Sequence, residues 1–263
     1  MDCRLSSLDF DIAASAGWYS AIAGLLAGFA LLSILLPLDH EAADPDESQS
    51  GNAVVVFTCA FVSLLALGFA FAVLAGRTGD GDVLGVAAHE QVMYGSAFGL
   101  AAILMLFGLH AVLRTYGANR AVFGPAQRVI VLTTSVLAPV VLLALQFGSA
   151  LDVTRFRAAS GGVDCGLGGL PNTVWIDLSI VAVAYSALGL MWLLRGRIPH
   201  RDGAPAFAAK AVLGYTVAVV VWGSMVVPLV PADVITGFWF EHLALAVTAV
   251  ATVGVAASSW MGR

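Results

Sequence analysis

Residues 52–76 read NAVVVFTCAFVSLLALGFAFAVLAG and carry no charged side chain over 25 consecutive positions. A helix needs roughly 20 mostly apolar residues to cross the hydrocarbon core of a bilayer, so this stretch predicts a transmembrane helix. Six other segments have comparable length and apolarity. The alternation that is typical of membrane β-barrel strands does not occur in them. The seven predicted spans are 14–37, 52–76, 84–113, 124–150, 173–194, 206–230 and 236–260.

The whole chain fits an all-α membrane protein, which we predict to be a single bundle of seven transmembrane helices over residues 1–263. Of its residues, 60% are apolar and 11% are charged, whereas a soluble domain has about 25% charged residues. This composition excludes a disordered chain and argues against a soluble enzyme. We therefore expect a multi-pass protein of the cell membrane, in contact with the lipid bilayer and without enzymatic activity. The net charge of −5 gives no indication of nucleic-acid binding.

The basic residues predict the orientation of the bundle, because cytoplasmic loops carry an excess of Lys and Arg. The side that holds the N-terminus has four basic residues and the opposite side has eight, so we predict an outside N-terminus and an inside C-terminus. The first span is longer than the apolar part of a signal peptide, and we expect it to stay attached. The four are Arg4, Arg77, Arg155 and Arg157; the eight are Arg114, Arg120, Arg128, Arg195, Arg197, Arg201, Lys210 and Arg263.

The three cysteines follow no metal-binding spacing. Cys59 lies within an apolar span, where we expect a small core residue. Cys3 and Cys165 both fall on the predicted outer side, and the sequence leaves open whether they form a disulfide.

Several ionisable residues lie where predicted spans begin, and such groups are costly inside a membrane. His89 and Glu90 are in the third span, Asp177 is in the fifth, and Glu241 and His242 are in the seventh. Because these three spans begin at the same end of the bundle, we predict that the five residues form an outer polar cluster. The alternative is that they lie at the level of the lipid headgroups and are hydrated.

The same residues also permit other chemistry. Two histidines and three carboxylates are metal-ligand types, and His89 and His242 lie at similar depths, as the two axial ligands of a haem would. No motif supports either group, so we expect no cofactor. The sequence does leave open a haem- or metal-binding redox subunit, or a small transporter or channel that uses the outer polar cluster.

Deeper in the predicted bundle, Glu241, Thr248 and Thr252 fall on one face of the seventh helix. Trp222 lies near the middle of the sixth span, too deep for an interfacial aromatic belt. A buried tryptophan needs a partner for its N–H or a ligand to pack against. The alternative is that the threonines bond to their own helix backbone and that the aromatic residue simply packs.

Four short stretches occur in a familiar order. Residues 43–46 read ADPD, residues 174–179 read VWIDLS, Trp222 lies in the sixth span, and Val253-Gly254 lies in the seventh. With seven helices and an outside N-terminus, they resemble four parts of the haloarchaeal, or microbial, rhodopsins. These parts are the first inner loop, the Trp-rich fifth helix, the pocket tryptophan of the sixth helix, and the Val-Gly after the retinal lysine. The resemblance spans nearly the whole chain and rests on this order and spacing.

The residues that carry the light chemistry of that family are replaced. The retinal-binding lysine falls on Thr252, the counter-ion carboxylates fall on Met93 and Thr248, and a pocket tryptophan falls on Tyr94. The single lysine, Lys210, is in the first turn of the sixth span. A protonated Schiff base needs a lysine amine and a nearby anion, so the resemblance implies an opsin-like protein without covalent retinal that is not a light-driven pump.

The resemblance also implies a ligand pocket among the deeper residues. Because this pocket is neutral, we expect a binding or sensory module for a neutral apolar ligand held non-covalently, or for a membrane partner or second copy of the chain. A structural subunit without a ligand is a further alternative. The acidic, lysine-poor composition fits a halophilic archaeon. The predicted pocket residues are Met93, Tyr94, Trp175, Trp222, Thr248 and Thr252.

Overall fold

The structure, a computed structural model, describes residues 11–39, 47–77, 82–115, 120–159, 170–198, 201 and 203–261. Seven of its helices are long and apolar enough to cross a membrane, and the described part of the chain contains no β-strand. The predicted all-α bundle with seven apolar helices is therefore confirmed. The Cys3–Cys165 pairing and the 43–46 stretch lie outside the described residues.

The described residues form nine α-helices, because a π-helical turn divides the fourth span into two helices and a short helix lies between the sixth and seventh spans. The turn Thr133–Leu137 joins α4 to α5 in the fourth span, and the turn Trp222–Val226 extends α7 in the sixth. The α-helices are α1 (Ile12–Asp39), α2 (Glu47–Ala75), α3 (Asp82–Thr115), α4 (Arg120–Leu132), α5 (Ala138–Ala159), α6 (Asn172–Leu194), α7 (Ala204–Val221), α8 (Ala232–Ile235) and α9 (Phe238–Met261).

Both π-helical turns contain hydroxyl groups that bond to the backbone of the preceding turn. Thr134 and Ser135 donate to the carbonyls of Ile130 and Val131 at 2.7 and 2.6 Å, and Ser224 donates to the carbonyl of Val220. In a π-helical turn each N–H bonds to the carbonyl five residues back, which interrupts the regular α-helical pattern. The hydroxyl groups donate hydrogen bonds to nearby carbonyls. The core of a bilayer contains no water that could donate these bonds instead.

The fourth span is longer than the sequence predicts. Its predicted end is at residue 150, but α5 continues to Ala159. Arg155 and Arg157, predicted in an outer loop, therefore lie on the last turns of a helix. Charged residues mark a loop in sequence, but here both arginines form ion pairs, and pairing lets a helix keep charged residues near its end.

The helix α3 occupies the centre of the bundle. It packs against α1, α2, α5, α7 and α9. Of its most apolar stretch of 18 residues, 56% is buried, whereas the corresponding share for α1 is 17%. The α1 helix packs on α2 and α3 and presents large apolar side chains outward, as a lipid-facing helix does. On the other side, α9 packs against α5, α6 and α7.

The two ends of the bundle are named here by the helices that start there. The N-terminal face is the end at which α1, α3, α6 and α9 begin, and the C-terminal face is the end at which they finish. At the N-terminal face, Arg77 after α2 contacts Glu90 of α3. At the C-terminal face, the Arg201 backbone N–H donates to the carbonyl of Met261, at the end of α9, at 2.9 Å.

Candidate functional site

The five residues of the predicted outer polar cluster are all buried at the N-terminal face. Their exposed fractions lie between 0% for Asp177 and 8% for His242. They therefore lie inside the bundle and not on its surface. Removing a charge from water is costly, so a buried ionised group needs a partner of opposite charge and additional hydrogen bonds.

Two helices, α5 and α6, supply those partners to α9. Glu241, in the first turn of α9, accepts a hydrogen bond from the Thr154 hydroxyl at 2.8 Å and forms an ion pair with Arg157, both on α5. Nδ1 of the next residue, His242, lies 2.7 Å from Oδ1 of Asp177 on α6. Arg157 also interacts electrostatically with Asp177. We name these five residues the ion cluster; it ties α5, α6 and α9 together.

Glu90 and His89 have other partners. The guanidinium of Arg77 lies 2.6 Å from Oε1 of Glu90 and ties the end of α2 to α3. The ring of His89 lies edge-on to Phe240, with centroids 5.6 Å apart. The single predicted cluster is therefore divided into the ion cluster, an Arg77–Glu90 pair and a packed histidine.

Sequence reasoning missed Arg77, Thr154 and Arg157, because it assigned the arginines to loops. The spacing of Thr154 and Arg157, three residues apart, places them on one face of a helix. That spacing was the available signal that the helix continues. Within the described residues, no group of three or more His, Cys, Asp or Glu side chains is arranged to hold a metal ion.

The six predicted pocket residues line neither of the two cavities described below. Tyr94 is buried, and its hydroxyl occupies the position where a β-carbon on Gly223 would stand. Trp222 packs against Phe240 at 5.7 Å. Thr248 and Thr252 are fully buried, and Met93 packs at the edge of the apolar core. The interior near these residues is thus occupied by aromatic side chains.

Trp175 is not part of this interior. It is 43% exposed on the surface of α6, whereas Tyr94, Thr248 and Thr252 are buried. Asp177, two residues further on, is fully buried by the ion cluster. Two residues turn a helix by about 200°, so the rotation that buries Asp177 directs Trp175 outward.

Hydroxyl groups from three helices form a chain through the middle of the bundle. The Ser96 and Tyr215 hydroxyl oxygens lie 2.7 Å apart, and the Tyr215 hydroxyl also bonds to the side chain of Thr248. Thr248 in turn donates to the carbonyl of Ala244 at 2.7 Å. This bond to its own helix backbone is the alternative that the sequence left open for the threonines of the seventh span. This hydroxyl chain, Ser96–Tyr215–Thr248, connects α3, α7 and α9.

We expect the variants Ser96→Ala and Tyr215→Phe to be coupled by about 1 kcal/mol in the free energy of unfolding, because either change removes the same hydrogen bond. SDS titration of the two single variants and the double variant in bicelles measures this coupling. Tyr185→Phe is the control, since its hydroxyl bonds to Val140 at another interface and should combine additively with Ser96→Ala. Additive effects of Ser96→Ala and Tyr215→Phe would contradict the hydroxyl chain.

A cavity of about 680 Å³ lies between α7 and α9, in the half of the bundle that ends at the C-terminal face. We name it the α7–α9 cavity. Its walls are apolar except for Arg201, Tyr215 and Ser258. The other lining residues are Leu100, Gly203, Ala204, Phe207, Ala208, Ala211, Val212, Ala251, Gly254, Val255, Ala257 and Met261.

A second cavity of about 230 Å³ lies between α3 and α5. Gln91, Gln146 and Ser149 contribute its polar walls. Neither of these two cavities is lined by a predicted pocket residue or by a residue of the ion cluster. Of the features described, the α7–α9 cavity is the one with room for a ligand of small-molecule size.

No protein-family model, curated protein or solved structure matches this chain. The resemblance to microbial rhodopsins therefore stays a prediction from the sequence.

Proposed function

We propose that this membrane protein is a binding module that takes an apolar chain from the bilayer into the α7–α9 cavity. The cavity itself carries the proposal. Its volume lies within the range of roughly 300–1,000 Å³ that is usual for small-molecule sites, and its walls are almost entirely apolar. The proposal keeps the apolar ligand that the sequence predicts but places it closer to the C-terminal face than the predicted pocket.

The opening of the cavity supports a ligand that arrives from the lipid phase. Phe207 lines the cavity and is 75% exposed, and Ala211 and Gly254 on facing helices are also exposed. The cavity therefore opens sideways between two apolar helices, where acyl chains surround a membrane protein. A gap between apolar walls lacks packing contacts, and a chain inserted from the bilayer restores them.

The cavity exists because its walls are built from small residues. Ala208, Ala211 and Ala251 are alanines, and a β-carbon added to Gly254 would meet no atom within 4 Å. Small residues normally let membrane helices approach closely. Here they leave a space between α7 and α9, so a larger side chain at Gly254 has room to enter it.

Tyr215 connects the cavity to residues on two other helices. Its ring lines the cavity, while its hydroxyl belongs to the hydroxyl chain that reaches Ser96 and Thr248. A ligand that displaces this ring alters hydrogen bonds on α3 and α9. This arrangement supports a sensory role better than a transport role, because neither described cavity reaches the ion cluster.

The variant Gly254→Phe is expected to lower apolar-chain binding about tenfold or more, because filling a cavity of this kind excludes its ligand. The measurement is photolabelling of purified protein in nanodiscs by a clickable diazirine fatty alcohol, with labelled peptides identified by mass spectrometry. The matched control is Gly189→Phe on α6, where an added β-carbon also meets nothing within 4 Å and no described cavity is near. Equal labelling of α7 and α9 in both variants would contradict the proposed function.

We further propose the cell membrane as the location, with the C-terminal face inside, as the distribution of basic residues indicates. A rhodopsin-like protein without covalent retinal also remains our proposal. In that resemblance Thr252 stands where the retinal lysine would be. Its full burial in the core of the bundle supports the proposal.

A further inference from the structure

The charge on the wall of the α7–α9 cavity identifies the kind of ligand more closely. We infer that the cavity binds a single-chain amphiphile with an anionic head group, such as an ionised fatty acid, and that Arg201 binds that head group. This inference rests on the proposed function. Of the described residues that line the cavity, Arg201 alone is charged.

The backbone of Arg201 is held between the two helices that form the cavity. Its N–H donates to the carbonyl of Met261 at the end of α9 at 2.9 Å, and its own carbonyl accepts from Ala204, the first residue of α7, at 3.1 Å. The guanidinium is therefore attached at the C-terminal end of the cavity. A chain that lies along the apolar wall places its polar end at this position.

Charge complementarity then selects an anion. A guanidinium forms paired, charge-assisted hydrogen bonds with a carboxylate or phosphate, which a neutral hydroxyl cannot match. The first turn of α7 begins beside Arg201 and contributes positive potential of the same sign. An apolar cavity with one cation at its end thus matches an apolar chain with one anion at its end.

The other arginines of this connection do not share the role. The guanidinium of Arg195 stacks on the indole of Trp192, 4.4 Å from the ring centroid, and Arg197 is exposed and does not line the cavity. The cavity has the size of a small-molecule site, which favours one chain over the two of a phospholipid. Because Arg197 carries the same charge in the same connection but does not line the cavity, it is a matched control for Arg201.

The test compares a clickable diazirine fatty acid with the fatty alcohol of the same chain, in nanodiscs at mildly alkaline pH where the acid is ionised. In the unaltered protein we expect the acid to label α7 and α9 about fivefold more than the alcohol, as one charge-assisted contact would give. Arg201→Gln should lower acid labelling to the level of the alcohol and so remove this preference. Arg197→Gln, which removes the same charge nearby, should leave the preference intact.

Each result separates the inference from the proposed function. Equal labelling by acid and alcohol, or an acid preference that Arg201→Gln and Arg197→Gln reduce alike, would overturn the inference while alcohol labelling still supports the cavity. Competition gives a second readout. If oleic acid lowers acid labelling and a two-chain anionic phospholipid does not, the result supports a single-chain ligand. If the phospholipid lowers acid labelling and oleic acid does not, the single-chain ligand is overturned. If Gly254→Phe labels like the unaltered protein with both probes, the proposed function itself fails.

Discussion

Replacing Arg157 with methionine is expected to lower the free energy of unfolding by about 3–5 kcal/mol, because a buried ion pair that loses one partner leaves an uncompensated charge. Arg157 is 12% exposed and Glu241 1% exposed. Its removal leaves Glu241 and Asp177 as two buried carboxylates beside His242. Methionine fills a similar volume with an apolar chain, so the loss reports charge and not a cavity. SDS titration in bicelles measures the change.

Two comparisons make this prediction specific. Arg155, on the same helix, pairs with Asp152 at 2.8 Å, but both side chains are about one quarter exposed, so Arg155→Met should cost about 0.5 kcal/mol. Replacing both charges, as in Arg157→Met with Glu241→Leu, should recover part of the loss, because apolar residues can replace a buried pair. If the loss of stability in the double variant equals the sum of the losses in Arg157→Met alone and Glu241→Leu alone, the two charges do not interact.

The second large effect is expected at Gly223, in the π-helical turn of the sixth span. A β-carbon there would overlap the Tyr94 hydroxyl and lie 2.7 Å from the ring carbon that bears it. The Tyr94 ring cannot retreat, because it packs edge-on against Phe71 at 5.7 Å, which in turn stacks on Tyr19 at 5.1 Å. Overpacking of this kind costs about 1–3 kcal/mol, and we expect Gly223→Ala at the upper end.

Gly214 provides the matched control, since it lies on the same span and an added β-carbon meets nothing within 4 Å. Gly214→Ala should leave the free energy of unfolding unchanged or slightly raised, because alanine favours the helix. In a Tyr94→Leu background, Gly223→Ala should cost less than in the unaltered protein, since contacting residues are not additive. A Gly223→Ala variant as stable as Gly214→Ala would contradict the tight Tyr94 contact.

The sequence predicted the seven spans because the length of a span depends on bilayer thickness, which leaves a long apolar run in the chain. It failed at the end of the fourth span for a related reason. Charges normally mark a loop, and the partner that allows Arg157 to remain on a helix, Glu241, lies far along the chain. A partner that is distant in sequence leaves no local pattern.

The candidate site was predictable only in its residue types. The burial of Glu90, Asp177 and Glu241 follows the expectation that ionisable groups at helix starts gather inside the bundle, but the identity of each partner depends on how the helices pack. The exposure of Trp175 could not be read from the sequence, because the rotation of α6 follows the burial of Asp177. The α7–α9 cavity was not predicted at all, since its walls are alanines and glycines whose sequence signal is the same as that of close helix packing.

The placement of the charged pairs also bears on the order in which the chain enters the bilayer. Arg77 and Glu90 are 13 residues apart, so this pair can form as soon as α2 and α3 are both present. Glu241 and His242 reach back 87 and 65 residues to Thr154 and Asp177. Until the last helix is synthesised, Thr154 and Arg157 of α5 lack Glu241 as a partner, and Asp177 of α6 lacks His242. A chain that stops before α9 therefore lacks the partners that Glu241 and His242 provide to α5 and α6.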